Sequence, residues 1–525
     1  MSREDKQKRP LLQSFGCRGI QYRKMSPQVY KYECLTKCVY APGGRTHFLS
    51  HKNGVRMNYL ATVISFMFVN ILAHAFHITA EHEEKSFGGY QVFRIETNST
   101  QALEFLGKLY LSSAEVFDFW SGPSPHSPID IAVNEDQAEY LLTSLEALDV
   151  TPKILIADLG EKIRNAEKDS IRQEAPMSWT AYHKLDSIYT WLESLESQYP
   201  NLVTLEEIGQ SFQNRPLKLV RISTSNSTVN SSKPAIWLDG GIHAREWVSP
   251  ATVTYVISQL LNETETPENS KFSSGNKLVD LFDWYILPVV NPDGYEYSWT
   301  NSRMWRKTRS DYRSQALSSS SYDGRRPKSI WDNLVGFCAG VDANRNFDVQ
   351  WGGKGTSGNP CSEIYRGRKP ASEPEVAAVQ KFILRNNEGI KLFLSIHSYS
   401  QMILIPWAYD DVEPADFPEL KAVAVKAAAA IQAVHGTVYR PGQTTKLLGA
   451  AAGSSKDWAK KVAGIKYSFG FELRDTGKDG FILPAEQIIP TAQETYAGIK
   501  SMAEDIAGIY NVTPAYEGNG TQYTV

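Results

Sequence analysis

After Trp179, short apolar runs alternate with longer helical segments, and this alternation restricts the fold more than any other feature of the sequence. The apolar runs are bounded by glycine or proline, and they are predicted strands at 235–240, 284–290, 391–396 and 467–473. Helical spacing of apolar residues predicts helices at 187–195, 251–261, 374–385, 415–435 and 491–510. This pattern is typical of an α/β domain with a mixed, largely parallel twisted sheet flanked by helices. In such sheets, ligands bind beyond the carboxyl ends of the strands.

A smaller unit precedes this domain, between Phe76 and Arg172. Its predicted strands lie at 90–95, 130–134 and 153–159, and its predicted helices lie at 102–110 and 136–148. Two helices between three strands in under a hundred residues indicate a small α+β domain. The charged stretch 160–176 follows, and we interpret it as an exposed connector, with an interdomain helix as the alternative. A protease of trypsin-like preference could cut either form, and Arg172 is the preferred activation site.

An apolar stretch nearer the N-terminus indicates export. Residues 57–75 have the length of a signal peptide and end in a small-x-small cleavage motif. Asn70 and His74 make this stretch a poor bilayer span, so we expect no stable membrane association. We expect translation to start at Met57, which would leave the N-terminal extension 1–56 untranslated. The alternative is a signal anchor behind a basic cytoplasmic tail.

Charge and cysteine content narrow the classes further. The net charge of −3 over 525 residues gives no attraction to nucleic acid or to acidic membranes. Cys338 and Cys361 are the two cysteines that follow the N-terminal region, and they suit either a disulfide or a metal pair. A disulfide is favoured because no Cys-x-x-Cys or His-x-His partner accompanies them. It would stabilise the fold by about 3 kcal/mol and implies an oxidising compartment.

Three residues form a candidate metal site. His243 and Glu246 lie three residues apart in GGIHAREW, directly after a predicted strand, and a second strand ends before His397. Two imidazoles and one carboxylate, with a fourth position left for water, are the ligand set of a catalytic zinc ion. Zinc lowers the pKa of such a water to about 7. The alternative is a loop histidine and a solvated glutamate.

Further polar motifs accompany this set. SRMWRKTR contains Arg303 and Arg306, VDANRNF contains Asn344 and Arg345, and FELRD places Glu472 near the end of an apolar strand. Each motif alone has an ordinary explanation, since loop arginines are usually solvated and a strand acid is more often a paired core residue. Their conjunction with a zinc ligand set is what indicates a catalytic site.

The sequence resembles the digestive metallocarboxypeptidases, the carboxypeptidase A and B group. The resemblance extends from about Tyr182 to Tyr510, and the matching motifs, in the family's order, are GIHAREW, PVVNPDGY, RMWRKTR, VDANRN, LSIHSYSQ, GIKYSFGFELRDTG and PAEQIIPTAQET. The small domain with YQVFRI resembles the family's inhibitory propeptide, which has a ferredoxin-like α+β fold. The resemblance implies a propeptide domain with its activation segment at 76–172 and a catalytic domain at 173–525.

The resemblance also implies roles at the metal. His243, Glu246 and His397 would bind one Zn2+ ion per catalytic domain, and Asp342 would accept the ring proton of His243. Glu472 would act as the general base on the zinc-activated water. Arg306 would stabilise the oxyanion.

Other positions would bind substrate and complete the fold. Asn344 and Arg345 would clamp the terminal carboxylate, because a guanidinium matches a carboxylate in a bidentate pair. Arg245 and Tyr399 would line the outer substrate sites, and Arg303 would also bind substrate. The two cysteines discussed above match the family's disulfide.

Two departures from the family pattern affect substrate binding. The family's mobile tyrosine is replaced by Leu448 or Gly449, so affinity or rate is expected to fall while activity survives. At the base of the specificity pocket the sequence has Lys456, whose buried ammonium needs a counter-charge. We therefore predict a preference for C-terminal Glu or Asp. The alternatives are an apolar preference, or a shift of local register that turns Lys456 to solvent.

The leading hypothesis is a zymogen secreted into the digestive lumen that removes single C-terminal residues from peptides and proteins. Its partners would be its own propeptide as inhibitor and a trypsin-like activating protease. One alternative is a related zinc deacylase, which the propeptide-like domain and the substrate motifs oppose. Another is a weakly active peptide-binding homologue, which the missing tyrosine favours and Glu472 opposes.

Overall fold

The computed structural model describes residues 87–112, 116–171, 177–224, 233–265, 277–311 and 338–513. The N-terminal extension 1–56, the predicted signal peptide 57–75 and the predicted activation site Arg172 lie outside the described residues.

The first domain is a four-stranded antiparallel sheet in the order β2-β3-β1-β4 with two helices. Its elements are β1 (Gln91–Ile95), α1 (Thr100–Ser112), β2 (Asp118–Phe119), β3 (Ile129–Val133), α2 (Glu135–Glu146) and β4 (Lys153–Ile156). This is the strand-helix-strand-strand-helix-strand order of a ferredoxin-like fold. The predicted α+β domain is therefore confirmed, and it gains the two-residue strand β2.

Helix α3 (Leu159–Ile171) follows β4. The alternative of an interdomain helix therefore describes the first part of the charged stretch better than an exposed connector. Leu159 and Ile163 are buried, and Lys162 Nζ donates to Asp479 Oδ1 at 2.6 Å. The described part of the helix is thus attached to the larger domain.

The larger domain contains an eight-stranded mixed sheet in the order β11-β10-β12-β9-β7-β8-β6-β5. Its strands are β5 (Val203–Gln210), β6 (Pro216–Ile222), β7 (Ala235–Asp239), β8 (Asp283–Leu287), β9 (Ile390–His397), β10 (Met402–Ile405), β11 (Arg440–Gln443) and β12 (Tyr467–Glu472). The central run β12-β9-β7-β8 is parallel, as is the pair β10-β11, and the remaining pairs are antiparallel. The predicted mixed, largely parallel sheet is confirmed.

Helices cover both faces of this sheet. They are α4 (Leu185–Gln198), α5 (Val248–Glu265), α6 (Leu278–Leu281), α7 (Pro292–Thr300), α8 (Pro374–Asn386), α9 (Phe417–His435), α10 (Thr444–Leu448), α11 (Ser455–Lys461) and α12 (Ile488–Ile509), with 3-10 turns at Ala343–Arg345 and Ala485–Gln487. None of these described helices has the length and apolar content needed to cross a bilayer.

Successive side chains of β7 pack into two different hydrophobic cores, one on each face of the sheet. Ile236 and Leu238 belong to the core that includes α4, α5, α9 and α12. Trp237, between them, belongs to the opposite core with Phe382 of α8 and Trp458 of α11. Successive side chains of a strand point to opposite faces, so a strand covered on both faces is apolar on both, as β7 is up to Asp239 at its carboxyl end.

The strand directions bring the polar motifs together. Strands β7 and β9 run parallel, so the loop after β7 and the end of β9 meet at one edge of the sheet. Strand β12 is parallel to β9, and its last residue Glu472 is the register partner of His397.

Candidate active site

Three buried ligand groups converge at this edge. His243 Nδ1 lies 2.7 Å from Glu246 Oε1, His397 Nδ1 lies 3.2 Å from Glu246 Oε2, and the two Nδ1 atoms are 3.2 Å apart. The ligand atoms of the three residues lie within 4.8 Å of one another. Two imidazole nitrogens and a carboxylate directed at one point match the donor set of catalytic zinc, so the residues fit this metal.

Asp342 fixes the orientation of His243. Its Oδ1 lies 3.3 Å from His243 Nε2, so the Nε2 proton is donated to the carboxylate and Nδ1 is left as the ligand atom. Burial alone would raise the pKa of Asp342, but the Arg306 and Arg345 guanidinium groups hold this pKa well below its usual range. Asp342 is therefore a carboxylate whenever the site is in use.

Arg306 places a permanent positive charge beside the metal ligands. Its Nη2 donates to Asp342 Oδ2 at 2.9 Å, and its Nη1 lies 3.7 Å from Glu246 Oε1. Burial opposes its charge, but the Asp342 and Glu246 carboxylates raise the pKa of Arg306 above its ordinary value. A fixed guanidinium that lines the cavity can stabilise negative charge that develops there.

Glu472 lines the same cavity from the end of β12. Burial and the negative charge of Glu246 raise the pKa of Glu472 well above its usual range. Burial also raises the pKa of Glu246, but His243 and His397 outweigh this and hold the Glu246 pKa below its ordinary value. Glu246 is therefore suited to bind a cation, and Glu472 is suited to carry a proton.

Asn344 and Arg345 lie on a 3-10 turn that begins after Asp342. Asn344 Oδ1 accepts from the Ser455 backbone N–H at 2.8 Å, and Arg345 Nε donates to the Gly355 carbonyl at 2.9 Å. Arg345 Nη1 also donates to the Asn344 carbonyl at 3.0 Å. These hydrogen bonds hold a guanidinium in the cavity wall, where it can bind an anion.

Lys456 faces the cavity from α11. It is 6% exposed, so the alternative that a register shift turns it to solvent is wrong. Its Nζ lies 3.6 Å from Asp457 Oδ1, while Asp457 Oδ2 accepts from the Ala408 backbone N–H at 2.6 Å. Burial lowers the pKa of Lys456. The Lys456 stem packs beside Gly470, where a Cβ would lie 3.4 Å from Lys456 Cδ, at ordinary contact distance.

Together these residues surround a cavity of about 360 Å³. Leu448 and Gly449 line it as well. Tyr110 and Trp120 of the first domain also belong to its wall. The first domain therefore covers the entrance to the candidate site.

The first domain is held there by polar contacts. Arg245 Nη1 donates to Asp118 Oδ1 at 2.8 Å, and the Tyr399 hydroxyl donates to Asp130 Oδ2 at 2.6 Å. The Trp120 ring packs against Tyr399 with ring centroids 6.2 Å apart. The two residues predicted to line outer substrate sites, Arg245 and Tyr399, are therefore both covered by the first domain. The sequence did not predict roles for Asp118, Trp120 and Asp130, and the only local signal there is that DFW combines one acidic and two aromatic residues.

Arg303 is not brought into the main cavity. Its guanidinium donates to the carbonyls of Arg245 at 2.9 Å and Phe481 at 2.6 Å, and it lies 3.7 Å from the Trp247 ring centroid. It therefore supports the chain that carries Arg245, and its predicted substrate contact stays a prediction.

Cys338 and Cys361 form a disulfide in the structure, so the alternative of a metal pair is wrong.

Comparisons with known proteins agree with this arrangement. A family model described as zinc carboxypeptidase matches residues 188–498, and one described as carboxypeptidase activation peptide matches residues 93–166. Carboxypeptidase A2 of Mus musculus is 38% identical over 429 residues, which cover 81% of this chain and 95% of that protein. Carboxypeptidase B of Astacus astacus is 40% identical over 335 residues, which cover 64% of this chain and all of that protein. The crystal structure of thrombin activatable fibrinolysis inhibitor is 33% identical, with a TM-score of 0.68 and coverage of 80% of this chain and 100% of that one.

Proposed function

The chain belongs to the zinc carboxypeptidase family and carries the family's activation peptide, and on that premise we propose that it is a secreted proenzyme that prefers C-terminal Glu and Asp. The proposed parts are a signal peptide at 57–75, a propeptide with activation segment at 76–172 and a catalytic domain at 173–525. The observation that carries the acidic preference is the buried Lys456 in the wall of the cavity.

The metal site fits the family's cofactor. Zinc held by His243, Glu246 and His397 would polarise the scissile carbonyl and lower the pKa of a water molecule to about 7. Asp342 keeps the His243 ring turned so that Nδ1 faces the site.

Glu472 and Arg306 would supply the remaining catalytic groups. Glu472 would take a proton from the attacking water and pass it to the leaving amine, a task that suits a carboxyl whose pKa is raised. Arg306 would donate hydrogen bonds to the carbonyl oxygen as it becomes negatively charged, at no reorganisation cost because Asp342 already fixes it.

Arg345 and Asn344 would restrict the enzyme to chain ends. The Arg345 guanidinium can pair with the substrate's terminal carboxylate through two parallel hydrogen bonds. A peptide bond inside a chain offers no such anion, so the clamp favours removal of the last residue only.

The charges around Lys456 support acidic specificity. A substrate that ends in Glu brings two carboxylates, one for Arg345 and one for Lys456. Asp457 is tied to backbone N–H groups, and Lys456 Nζ reaches it at 3.6 Å, which is longer than an ordinary hydrogen bond. Ser454 Oγ is buried in the same cavity and has no hydrogen-bond partner among the described residues. An acidic substrate side chain would accept hydrogen bonds from both Lys456 Nζ and Ser454 Oγ.

A preference for apolar C-terminal residues is the second candidate, and the ion pair between Lys456 and Asp457 favours it. Asp457 already supplies Lys456 with a counter-charge, and Leu404 contributes apolar surface to the cavity. If the pair stays closed in the presence of substrate, the pocket would present the apolar stem of Lys456 rather than its ammonium.

The propeptide inhibits by covering this cavity, and its removal is the proposed activation step. Cleavage after Arg172 by a trypsin-like protease would release the domain that holds Arg245 and Tyr399. We further propose secretion into the digestive lumen, which the disulfide between Cys338 and Cys361 favours because disulfides persist in oxidising compartments.

The test is a comparison of kcat/KM on peptides that differ only in a C-terminal Glu, Phe or Arg, after activation with trypsin. We expect Glu to be released fastest, and we expect Lys456→Met to remove most of this advantage. Lys461→Met, an exposed lysine of the same helix, is the matched control and should leave the ranking unchanged. Release of no residue at all would refute the proposed carboxypeptidase activity. Faster release of Phe than of Glu would refute the role proposed for Lys456 in acidic specificity.

A further inference from the structure

His243 has Asp342 as an orienting partner, and His397 has a partner of a different kind. Ser395 Oγ lies 3.1 Å from His397 Nε2 and 2.6 Å from Asp239 Oδ1. All three residues are buried. The contacts form a continuous chain from a carboxylate, through a hydroxyl, to the ring of a candidate metal ligand.

The hydrogen positions in this chain follow from its chemistry. Asp239 Oδ1 accepts from the Ser395 hydroxyl and Asp239 Oδ2 accepts from Trp237 Nε1, so both carboxyl oxygens act as acceptors. The single proton of the Ser395 hydroxyl is therefore donated to Asp239, and its lone pair accepts the Nε2 proton of His397. Asn344 Nδ2 also approaches Nε2, but at 3.5 Å, the longer of the two contacts. With the proton on Nε2, the Nδ1 lone pair points towards Glu246.

The sheet explains why these residues meet. Ser395 and His397 lie two apart on β9, so their side chains share a face. Asp239 is the register partner of Ser395 on the parallel strand β7, and Gly470, which has no side chain, is its partner on the other side. The contact therefore joins the strand that leads to His243 with the strand that ends in His397.

The second oxygen of Asp239 is also occupied. Trp237 Nε1 donates to Asp239 Oδ2 at 2.6 Å. Asp239 forms no salt bridge with a lysine or arginine in the part of the chain that the structure describes. A buried carboxylate without such a partner is costly. The hydrogen bonds from Ser395 and Trp237 are therefore the contacts that stabilise this carboxylate beside the proposed metal site.

We propose that Ser395 and Asp239 are positioning residues for the metal, which hold His397 in the tautomer and orientation that present Nδ1 as a ligand. The proposal rests on the ligand set proposed above. Groups that orient a metal-bound histidine typically contribute 10- to 100-fold to metal affinity.

The experiment measures the zinc affinity of the full-length proenzyme by competition with a chromophoric chelator. Ser395→Ala removes the hydroxyl and should weaken zinc binding about 10- to 100-fold. Asp239→Asn keeps an acceptor for the hydroxyl but loses the charge, so a smaller loss is expected. The matched control is Ser223→Ala, because Ser223 Oγ donates to the buried Asp283 Oδ1 at the same 2.6 Å, far from the metal ligands in the sheet. Its zinc affinity should equal that of the wild type.

Melting temperatures of the metal-free proteins separate positioning from general destabilisation. The proposal expects Ser395→Ala and Ser223→Ala to lower the metal-free melting temperature by similar amounts, while only Ser395→Ala weakens zinc binding. Ser395→Ala with unchanged zinc affinity would overturn the proposal, as would an equal loss in Ser223→Ala. A wild-type protein that binds no zinc would overturn the ligand set itself, which is a distinguishable result.

Discussion

The contact between Arg245 and Asp118 gives the sharpest prediction about inhibition. Arg245 belongs to the catalytic domain, its side chain is 1% exposed, and its Nη1 donates to Asp118 Oδ1 at 2.8 Å. The Asp118 side chain is 22% exposed and belongs to the propeptide. Replacing Asp118 with Ala removes this hydrogen bond without changing any residue of the mature enzyme.

The expected effect is a partial release of inhibition. A hydrogen bond to a charged group contributes about 1.5–3 kcal/mol, and the partial exposure of Asp118 argues for about 2 kcal/mol. Since every 1.4 kcal/mol is a factor of ten, the equilibrium between the covered and open cavity should shift about 30-fold. The uncleaved Asp118→Ala proenzyme should therefore hydrolyse a short Glu-terminated peptide about 30-fold faster than the uncleaved wild type.

Two controls make the result decisive. Glu96→Ala breaks the exposed propeptide ion pair with Lys153 at 3.1 Å, and surface pairs of this kind contribute little, so its basal rate should stay unchanged. After complete cleavage and removal of the propeptide, all three proteins should be equally active. If the uncleaved Asp118→Ala protein hydrolyses the peptide no faster than the uncleaved wild type, this contact is not a determinant of inhibition.

Three further changes test the site and the core. Glu472→Gln should lower kcat about 100- to 10,000-fold with unchanged zinc content, because it removes the proton carrier but no metal ligand; loss of zinc would contradict that assignment. Arg345→Lys should raise KM about 10-fold or more on free-acid peptides, because a point charge cannot reproduce the bidentate pair; an unchanged KM would contradict the clamp. Burial and the charge of Glu373 raise the pKa of Glu375 in the folded protein to about 8. In the unfolded chain this carboxyl has its ordinary pKa of about 4.3, so the unfolded state loses the proton at lower pH than the folded state does. The free energy of unfolding therefore falls as the pH rises from about 4 to 8. Glu375→Gln should therefore be more stable than the wild type at pH 8, by about 4 kcal/mol, and nearly equal at pH 4 in urea unfolding; a constant difference across this range would contradict the buried charge.

The central strands could be predicted because they are apolar on both faces. Strands β7, β9 and β12 are mostly apolar, with polar residues chiefly at or near their carboxyl ends, a composition typical of strands covered on both sides. Strand β5, in contrast, reads VTLEEIGQ and lies at the sheet edge with many half-exposed positions, so its pattern gave no strand signal. Strand β10 is a buried strand of four residues, too short to stand out between its flanking loops.

The candidate site divides in the same way. His243 and Glu246 lie in one short motif, so the sequence alone places them together, and the accompanying motifs indicate their joint role. Asp118 could not be connected with Arg245, because their contact depends on how two domains pack. Asp239 could not be connected with Ser395, because that contact depends on the register of two strands far apart in sequence. Local chemistry was thus predictable, while partners supplied by packing and register were not.

The most direct test of the account is whether hydrolysis requires a free terminal carboxylate. A peptide that ends in Glu and the same peptide with an amidated C-terminus would be incubated with the trypsin-activated, zinc-loaded protein, and the products followed by mass spectrometry. Because Arg345 and Asn344 are proposed to recognise the terminal carboxylate, we predict the loss of single Glu residues from the free acid and no cleavage of the amide. Internal cleavage, or equal cleavage of both peptides, would contradict the account.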